Sequence, residues 1–295
     1  MARGVPAVAV RGVKAVAAGV LAWHGSAQAH GQPFDAWMPA FEPEPWLLWA
    51  LGLAAVLYAV GALRLWRHAG PGRGLGYGQA ASYALGWLTL VLALASPLDA
   101  LGAHLFSAHM VQHELLMIVC APLLVAGRPL AAWAWALPRP WLRGLRGVGA
   151  VPGLGLAWHV LTRPMVAWAL HGLAVWLWHV PALFDAALRS QAVHELQHFS
   201  FFASALLFWW VALAPRAAGI GYLFTTMVHT GALGALITLA PTVWYLGYGD
   251  APAQLGMDPL EDQQIGGLIM WVPAAFAYLL AGLVSLGRWL NRSPA

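Results

Sequence analysis

The chain has 295 residues, 61% hydrophobic and 9% charged, with a formal net charge of +4. An ordinary soluble domain carries about 25% charged residues, so the composition excludes that class. It also gives no sign of a nucleic-acid partner, because the positive charge is nearly all Arg in short segments between apolar runs. The single cysteine, Cys120, excludes an internal disulfide framework and a CxxC metal clamp. Any metal site must be built from His, Met, carboxylates and that one thiol.

In chain order, the first element reads as a secretory signal. Arg3, Arg11 and Lys14 precede an apolar stretch over 15–23, followed by the small-residue pattern Ala27-Gln28-Ala29. Cleavage there removes a signal peptide of residues 1–29 and leaves His30 first, where a free amine beside an imidazole makes a copper chelate. A membrane span needs ~20 mainly apolar residues. Seven follow, at 46–66, 79–96, 105–127, 164–180, 195–214, 219–240 and 266–287. The predicted fold is all-α: a polytopic integral membrane helix bundle of seven transmembrane helices, forming one domain over 30–295 after the signal-like segment.

The loops set the orientation. Arg64, Arg67, Arg73, Arg128, Arg139, Arg143, Arg146, Arg163, Arg216, Arg288 and Arg292 fall on one side, and only Arg189 falls in an opposite loop. Positive residues stay cytoplasmic, so the mature N-terminus is predicted outside and the C-terminus inside. Asp35, Glu42, Glu44, Asp99, Asp185, Asp250, Asp258, Glu261 and Asp262 all fall in external segments, an independent check. The longest connections are the Arg-rich inner loop over 128–163 and an outer loop over 241–265, rich in Gly, Pro and acid.

Two histidine pairs, His109/His113 and His194/His198, are spaced i, i+4 near the outer ends of the third and fifth spans. Such residues lie on one helix face one turn apart, so two imidazoles can reach one ion. His179 ends the fourth span on the same side, within Trp178-His179-Val180-Pro181. Five histidines from three helices therefore converge, and ionisable groups in a membrane interior mark sites or pathways. His104, nearby, reads as facing water. The third-span face continues through Met117 and Cys120. Soft sulfur ligands select Cu(I) and imidazole suits copper or zinc, although core packing explains either sulfur residue equally well. His171 and His229 lie deeper and read as interhelical hydrogen-bonding residues.

The segment His194-Glu195-Leu196-Gln197-His198 spells H-E-x-x-H, in which two zinc ligands share a helix face with a Glu as general base. A catalytic zinc needs a third protein ligand. No downstream LDG-type motif supplies one, which argues against a membrane metalloprotease and for a protein that is not an enzyme. Bis-histidine haem is the other alternative, but haem takes one His per helix, and i, i+4 doublets suit a small ion better. Copper, zinc and haem all stay open at this point, as does a scaffold whose histidines serve helix packing.

Several segments carry a family resemblance: SPLD (96–99), SAHMVQHELLMIVCAPLLVAGRP (107–129), WLWHVPALFDAAL (176–188), VHELQHFSFFASALLFWW (193–210) and DQQIGGLIMW (262–271). Over 96–271 the chain resembles the CtaG-type cytochrome c oxidase assembly proteins, the polytopic bacterial kind found with caa-type oxidases. It does not resemble the single-span copper chaperone that shares the name. The resemblance implies a plasma-membrane factor that helps to deliver copper to a haem–copper oxidase. It places the family's histidines on His109, His113, His179, His194 and His198. Met110 and Met117 are accessory candidates for handing copper in or out, with Cys120, Glu195, His229 and His30 as further accessories. Expected partners are the oxidase subunits, membrane lipid and a periplasmic copper carrier, the last docking on the outer acidic loop.

Overall fold

A computed structural model describes residues 43–149, 152–214 and 219–291. The signal-like segment 1–29, His30, Arg216 and Arg292 lie outside the described residues. Helices α1 (Pro45–Ala69), α2 (Tyr77–Leu94), α3 (Pro97–Gly102) and α4 (Phe106–Glu114) are followed by a π-helical turn (Leu115–Cys120) and α5 (Ala121–Ala126). Then come α6 (Pro129–Ala136), α7 (Arg139–Gly149), α8 (Pro152–Leu161), α9 (Pro164–Trp178), α10 (Pro181–Arg189) and α11 (Gln191–Ala212). The chain continues through α12 (Ile220–Thr238), a 3-10 turn (Leu246–Tyr248), α13 (Ala251–Gln254) and α14 (Pro259–Leu290). No strand occurs among the described residues. Proline opens α1, α3, α6, α9, α10 and α14. Its missing N–H costs nothing at the first helical position and its fixed φ suits the start, so these prolines divide the apolar sequence into its helices.

The π turn has a local cause. Pro122 has no N–H to bond the carbonyl of Ile118, and its ring would press on that carbonyl. The turn widens, and the Ala121 N–H bonds back to the Leu116 carbonyl instead. The Met117 carbonyl is left to accept from the Trp209 indole N–H at 2.8 Å, which ties the turn to α11.

Among the described residues, two apolar cores result. One joins α4, α9, α11, α12 and α14 through Phe106, Met110, Phe201, Phe208, Ile237 and Met270. The other joins α1, α2, α5 and α6 through Tyr58, Leu65, Tyr83, Cys120, Leu124 and Ala132. In the second core Tyr58 stacks on Tyr83 at 3.6 Å and donates to the Gly127 carbonyl at 2.8 Å. The exterior is apolar as well: Trp49, Phe199, Leu239 and Phe276 are each about two-thirds or more exposed. A soluble bundle rarely shows so much contiguous apolar surface, whereas a bundle in lipid requires it.

Among the described residues, four stretches are long and apolar enough to cross a membrane: Pro45–Ala69, Phe106–Ala126, Ile220–Thr238 and Pro259–Gly287. The pair α8 and α9, bent by 73° at its break, makes a fifth if it counts as one span. This is fewer than the seven expected from sequence. The 79–96 and 195–214 stretches are helical as α2 and α11 but do not stand with those four. The reason is in their first turns, where α2 begins with Tyr77 and Gln79 and α11 carries Gln191, His194, Glu195, Gln197 and His198. The 128–163 segment, expected as a loop, is three short helices, of which α6 packs along α1.

Candidate metal centre

The N-terminus of α4 positions the first histidine pair. Its leading N–H groups have no partner within the helix, and Leu105 at the cap supplies none. Asp262, in the first turn of α14, supplies it. One carboxylate oxygen accepts from the Phe106 N–H at 2.7 Å, the other from the Ser107 N–H at 3.1 Å and the Ser107 hydroxyl at 2.5 Å. The adjacent Gln263 accepts from the Trp244 N–H at 2.6 Å and donates to the Thr242 carbonyl at 3.2 Å. The start of α14 therefore fixes both α4 and the loop after α12. From the other side, Gln112 donates to the Ala93 carbonyl at 2.7 Å and to the Asp99 carboxylate at 2.6 Å.

The imidazoles meet at this end of the bundle. Ring centroids are 4.4 Å apart for His109–His113, 5.2 Å for His109–His194, 4.1 Å for His194–His198 and 5.2 Å for His113–His198. His179, just past the end of α9, lies 6.2 Å from His113. All five predicted histidines are thus brought together. Only His109, His194 and His198 each offer a donor atom within 4.8 Å of the other two. A tetrahedral ion with bonds of ~2 Å sets its donors about 3.3 Å apart, so small side-chain adjustments close the set. His113 is outside that trio because it sits one turn further along α4, where its ring packs on Phe201 at 4.6 Å.

The hydrogen bonds define the face that each ring presents. His109 Nδ1 lies 3.2 Å from the Gly102 carbonyl, which can only accept, so Nδ1 carries the proton and Nε2 the lone pair. That Nε2 is buried and has no hydrogen-bond partner among the described residues. The same holds for His198 Nε2 and for both nitrogens of His113. A buried polar atom left unpaired costs roughly 1–3 kcal/mol, so several at one spot mark a place built for something that accepts their lone pairs. A bound metal fits this donor set.

The accessory residues divide. Met110 joins the cluster, its sulfur 3.4 Å from His179 Nε2. Met117 is buried in the first core. Cys120 leaves the histidine face altogether, donating its thiol to the Gly86 carbonyl at 3.2 Å and packing in the second core. The straight-helix register expected from His109 through Cys120 is broken by the π turn between them. His229 receives the Trp176 indole N–H at 3.4 Å and packs edge-on to Trp168, an interhelical contact away from the cluster. His171 likewise bridges Ser204 on α11 and Tyr278 on α14. His104 is 4% exposed, with Nδ1 3.0 Å from the Ala100 carbonyl, so it does not face water. Glu195 accepts from Gln191 at 3.2 Å. Its charge also reaches Glu44 at the start of α1, whose carboxyl is pushed above the usual range first by burial and then by Glu195.

Three residues that sequence reading did not single out belong to the site. Tyr248 places its hydroxyl 3.2 Å from both the Gly102 carbonyl and His109 Nδ1. Burial, then the nearby Asp262, push that hydroxyl well above its ordinary pKa, so it remains a donor. Asp262 caps α4 as described. Gln197 is wholly buried between the two α11 histidines, and neither amide atom has a hydrogen-bond partner among the described residues. The one legible signal was the string Asp262-Gln263-Gln264 at the head of an apolar run. Tyr248 carried none.

Fold and site together define a helical membrane protein with a buried cluster of imidazoles at one end of its bundle. The chain belongs to the cytochrome c oxidase caa3 assembly factor family (Caa3_CtaG), whose family model matches residues 56–292. That match reaches beyond the 96–271 stretch in which the resemblance was read. The chain is also similar to uncharacterized proteins of Mycobacterium bovis and Mycobacterium tuberculosis, each 27% identical over 265 residues, covering 83% of this chain and 39% of the relative. An uncharacterized protein of Mycobacterium leprae is 25% identical over 236 residues, covering 73% of this chain and 34% of the relative. The chain thus spans about two-fifths of the length of the first two relatives and about one-third of the third. No solved structure matches it.

Proposed function

We propose that the chain holds copper at His109, His194 and His198 and helps to pass it to a haem–copper oxidase during assembly. The observation that carries this reading is the meeting of three imidazole donors within 4.8 Å of one another, in a chain of the caa3 assembly factor family. Copper is the cargo rather than a resident cofactor. Imidazole suits copper and zinc alike, and the neighbouring Met110 thioether favours copper. The rest of the reading follows from orientation. The chain sits in a bacterial plasma membrane with seven crossings, a signal peptide over 1–29 and a single domain over 30–295. The histidine end faces outward, where oxidase subunits and a periplasmic copper carrier reach it. No catalysis is proposed: the carboxylate of Glu195 is engaged by Gln191 rather than placed among the imidazole donors.

Elemental analysis of the full chain purified in mild detergent tests the proposal. Wild type is expected to retain copper, and the double variant His109→Ala/His198→Ala to lose it at least about tenfold, because two of three ligands are gone. Equal and negligible copper in both defeats the reading. Glu195→Gln is expected to leave copper content and oxidase maturation unchanged, and a maturation defect with full copper content would reopen the enzymatic alternative.

A further inference from the structure

The second half of the imidazole cluster has a chemistry of its own. His179 Nδ1 lies 2.6 Å from the Val175 carbonyl. A carbonyl only accepts, so this nitrogen carries the proton and Nε2 of the neutral ring is left with its lone pair. That lone pair points at the sulfur of Met110, 3.4 Å away. A thioether has no proton to give, so two electron-pair donors face each other with nothing between them to share. Their spacing is what two ligands of one ion adopt, since bonds of ~2.0 Å to nitrogen and ~2.3 Å to sulfur at near-tetrahedral angles put the donors about 3.5 Å apart.

His113 completes the arrangement. It follows Met110 by three residues on α4, a spacing that puts both on one helix face. It is 1% exposed, and neither ring nitrogen has a hydrogen-bond partner among the described residues. Its centroid is 6.2 Å from that of His179. Two imidazoles bound to one ion through ~2 Å bonds at near-tetrahedral angles have centroids about 5.1 Å apart, so a side-chain shift of about 1 Å brings the pair to a common ion. All three residues are 4% exposed or less.

We propose that His113, His179 and Met110 form a second metal position, selective for Cu(I), beside the three-imidazole position of His109, His194 and His198. The inference rests on the proposed function and deepens it. The first position has only nitrogen donors and takes Cu(I) or Zn(II). The second adds a thioether, a soft ligand that favours Cu(I) over harder ions. His113 lies 5.2 Å from His198 and 4.4 Å from His109, centroid to centroid, so the two positions adjoin.

The test titrates the full chain in detergent with Cu(I) under reducing, anaerobic conditions, against a chromogenic Cu(I) chelator. X-ray absorption then reads the copper shell. Wild type is expected to hold about two equivalents, with a sulfur neighbour at ~2.3 Å. Met110→Leu, close to volume-conserving, is expected to hold about one equivalent with a nitrogen-only shell, and His179→Ala the same. Zn(II) binding, expected near one equivalent in all three proteins, reports that fold and first position survive the substitutions. A wild-type copper shell without sulfur, or full Cu(I) capacity in both variants, overturns the second position. One Cu(I) on nitrogen alone does so while leaving the proposed function standing. A wild type that takes neither Cu(I) nor Zn(II) overturns both.

Discussion

Tyr248 shows how one side chain outside the ligand set can govern it. Its hydroxyl and the His109 Nδ1–H converge on the Gly102 carbonyl, which fixes the tautomer and aims Nε2 at the other imidazoles. Removing such an outer contact commonly costs 10–100-fold in metal affinity. Tyr248→Phe is therefore expected to weaken Zn(II) or Cu(I) binding by roughly tenfold with little change in fold, read by competition with a chelator. Asp262 acts one step further out. Asp262→Ala leaves the first N–H groups of α4 unpaired and buried, and the expected loss is about 1–3 kcal/mol, read as a lower thermal midpoint in detergent. The histidines themselves were legible because i, i+4 spacing is a local property of one helix. Tyr248 was not, and Asp262 showed only as a polar string at the head of an apolar run and not as a cap, because their partners are 139 and 156 residues away. Nothing in a local pattern records such a pairing.

At the scale of elements, the bundle depends on close helix crossings as well as on apolar faces. The longest packed pair is α12 against α14, where Gly234 meets Gly267. A Cβ on Gly267 would lie 2.6 Å from the Thr238 backbone nitrogen and 2.9 Å from the Gly234 carbonyl oxygen. Backbone atoms cannot swing aside as a side chain can, so the helices must part. Gly267→Ala is expected to destabilise by about 1–3 kcal/mol. Gly282→Ala, on the same helix with nothing within 4 Å, is the control. It is expected to be neutral or to stabilise by up to ~1 kcal/mol through helix propensity. A thermal melt of the two proteins in one detergent separates them, and equal midpoints would mean that the crossing carries no such constraint. The π turn makes a related point about reading helices. Regular periodicity put Cys120 beneath the histidines, and the widening caused by Pro122 turned it towards α2.

For the whole molecule, orientation and loading are the testable quantities. The proposed seven crossings would place the α13 region and α7 on opposite faces of the membrane. Ala253→Cys is expected to react with an impermeant thiol reagent from outside, and Gly144→Cys only after permeabilisation. Both positions are exposed, while Cys120 is buried and gives a low background. Labelling of both from the same side would exclude an odd number of crossings between them. Loading should also stabilise the bundle, because the ligands come from helices far apart in sequence. Zn(II) at 100 times its Kd is expected to add about 2.7 kcal/mol, seen as a raised thermal midpoint that the His109→Ala/His198→Ala variant lacks.

Composition and periodicity were enough for the helical class, the apolar exterior and the identity of the clustered imidazoles, because each follows from which side chains lipid tolerates and how a helix repeats. Of the seven expected spans, four or five stand out by length and composition among the described residues, since a polar cluster placed inside a helix lowers the very signal by which spans are recognised. The division of five histidines into a nitrogen-only trio and a sulfur-bearing neighbour could not be read from spacing. It depends on how far α4, α9 and α11 approach one another, to which the Asp262 cap on α4 and the π turn tied to α11 contribute. Those are contacts between distant parts of the chain, and they exist only once it has folded.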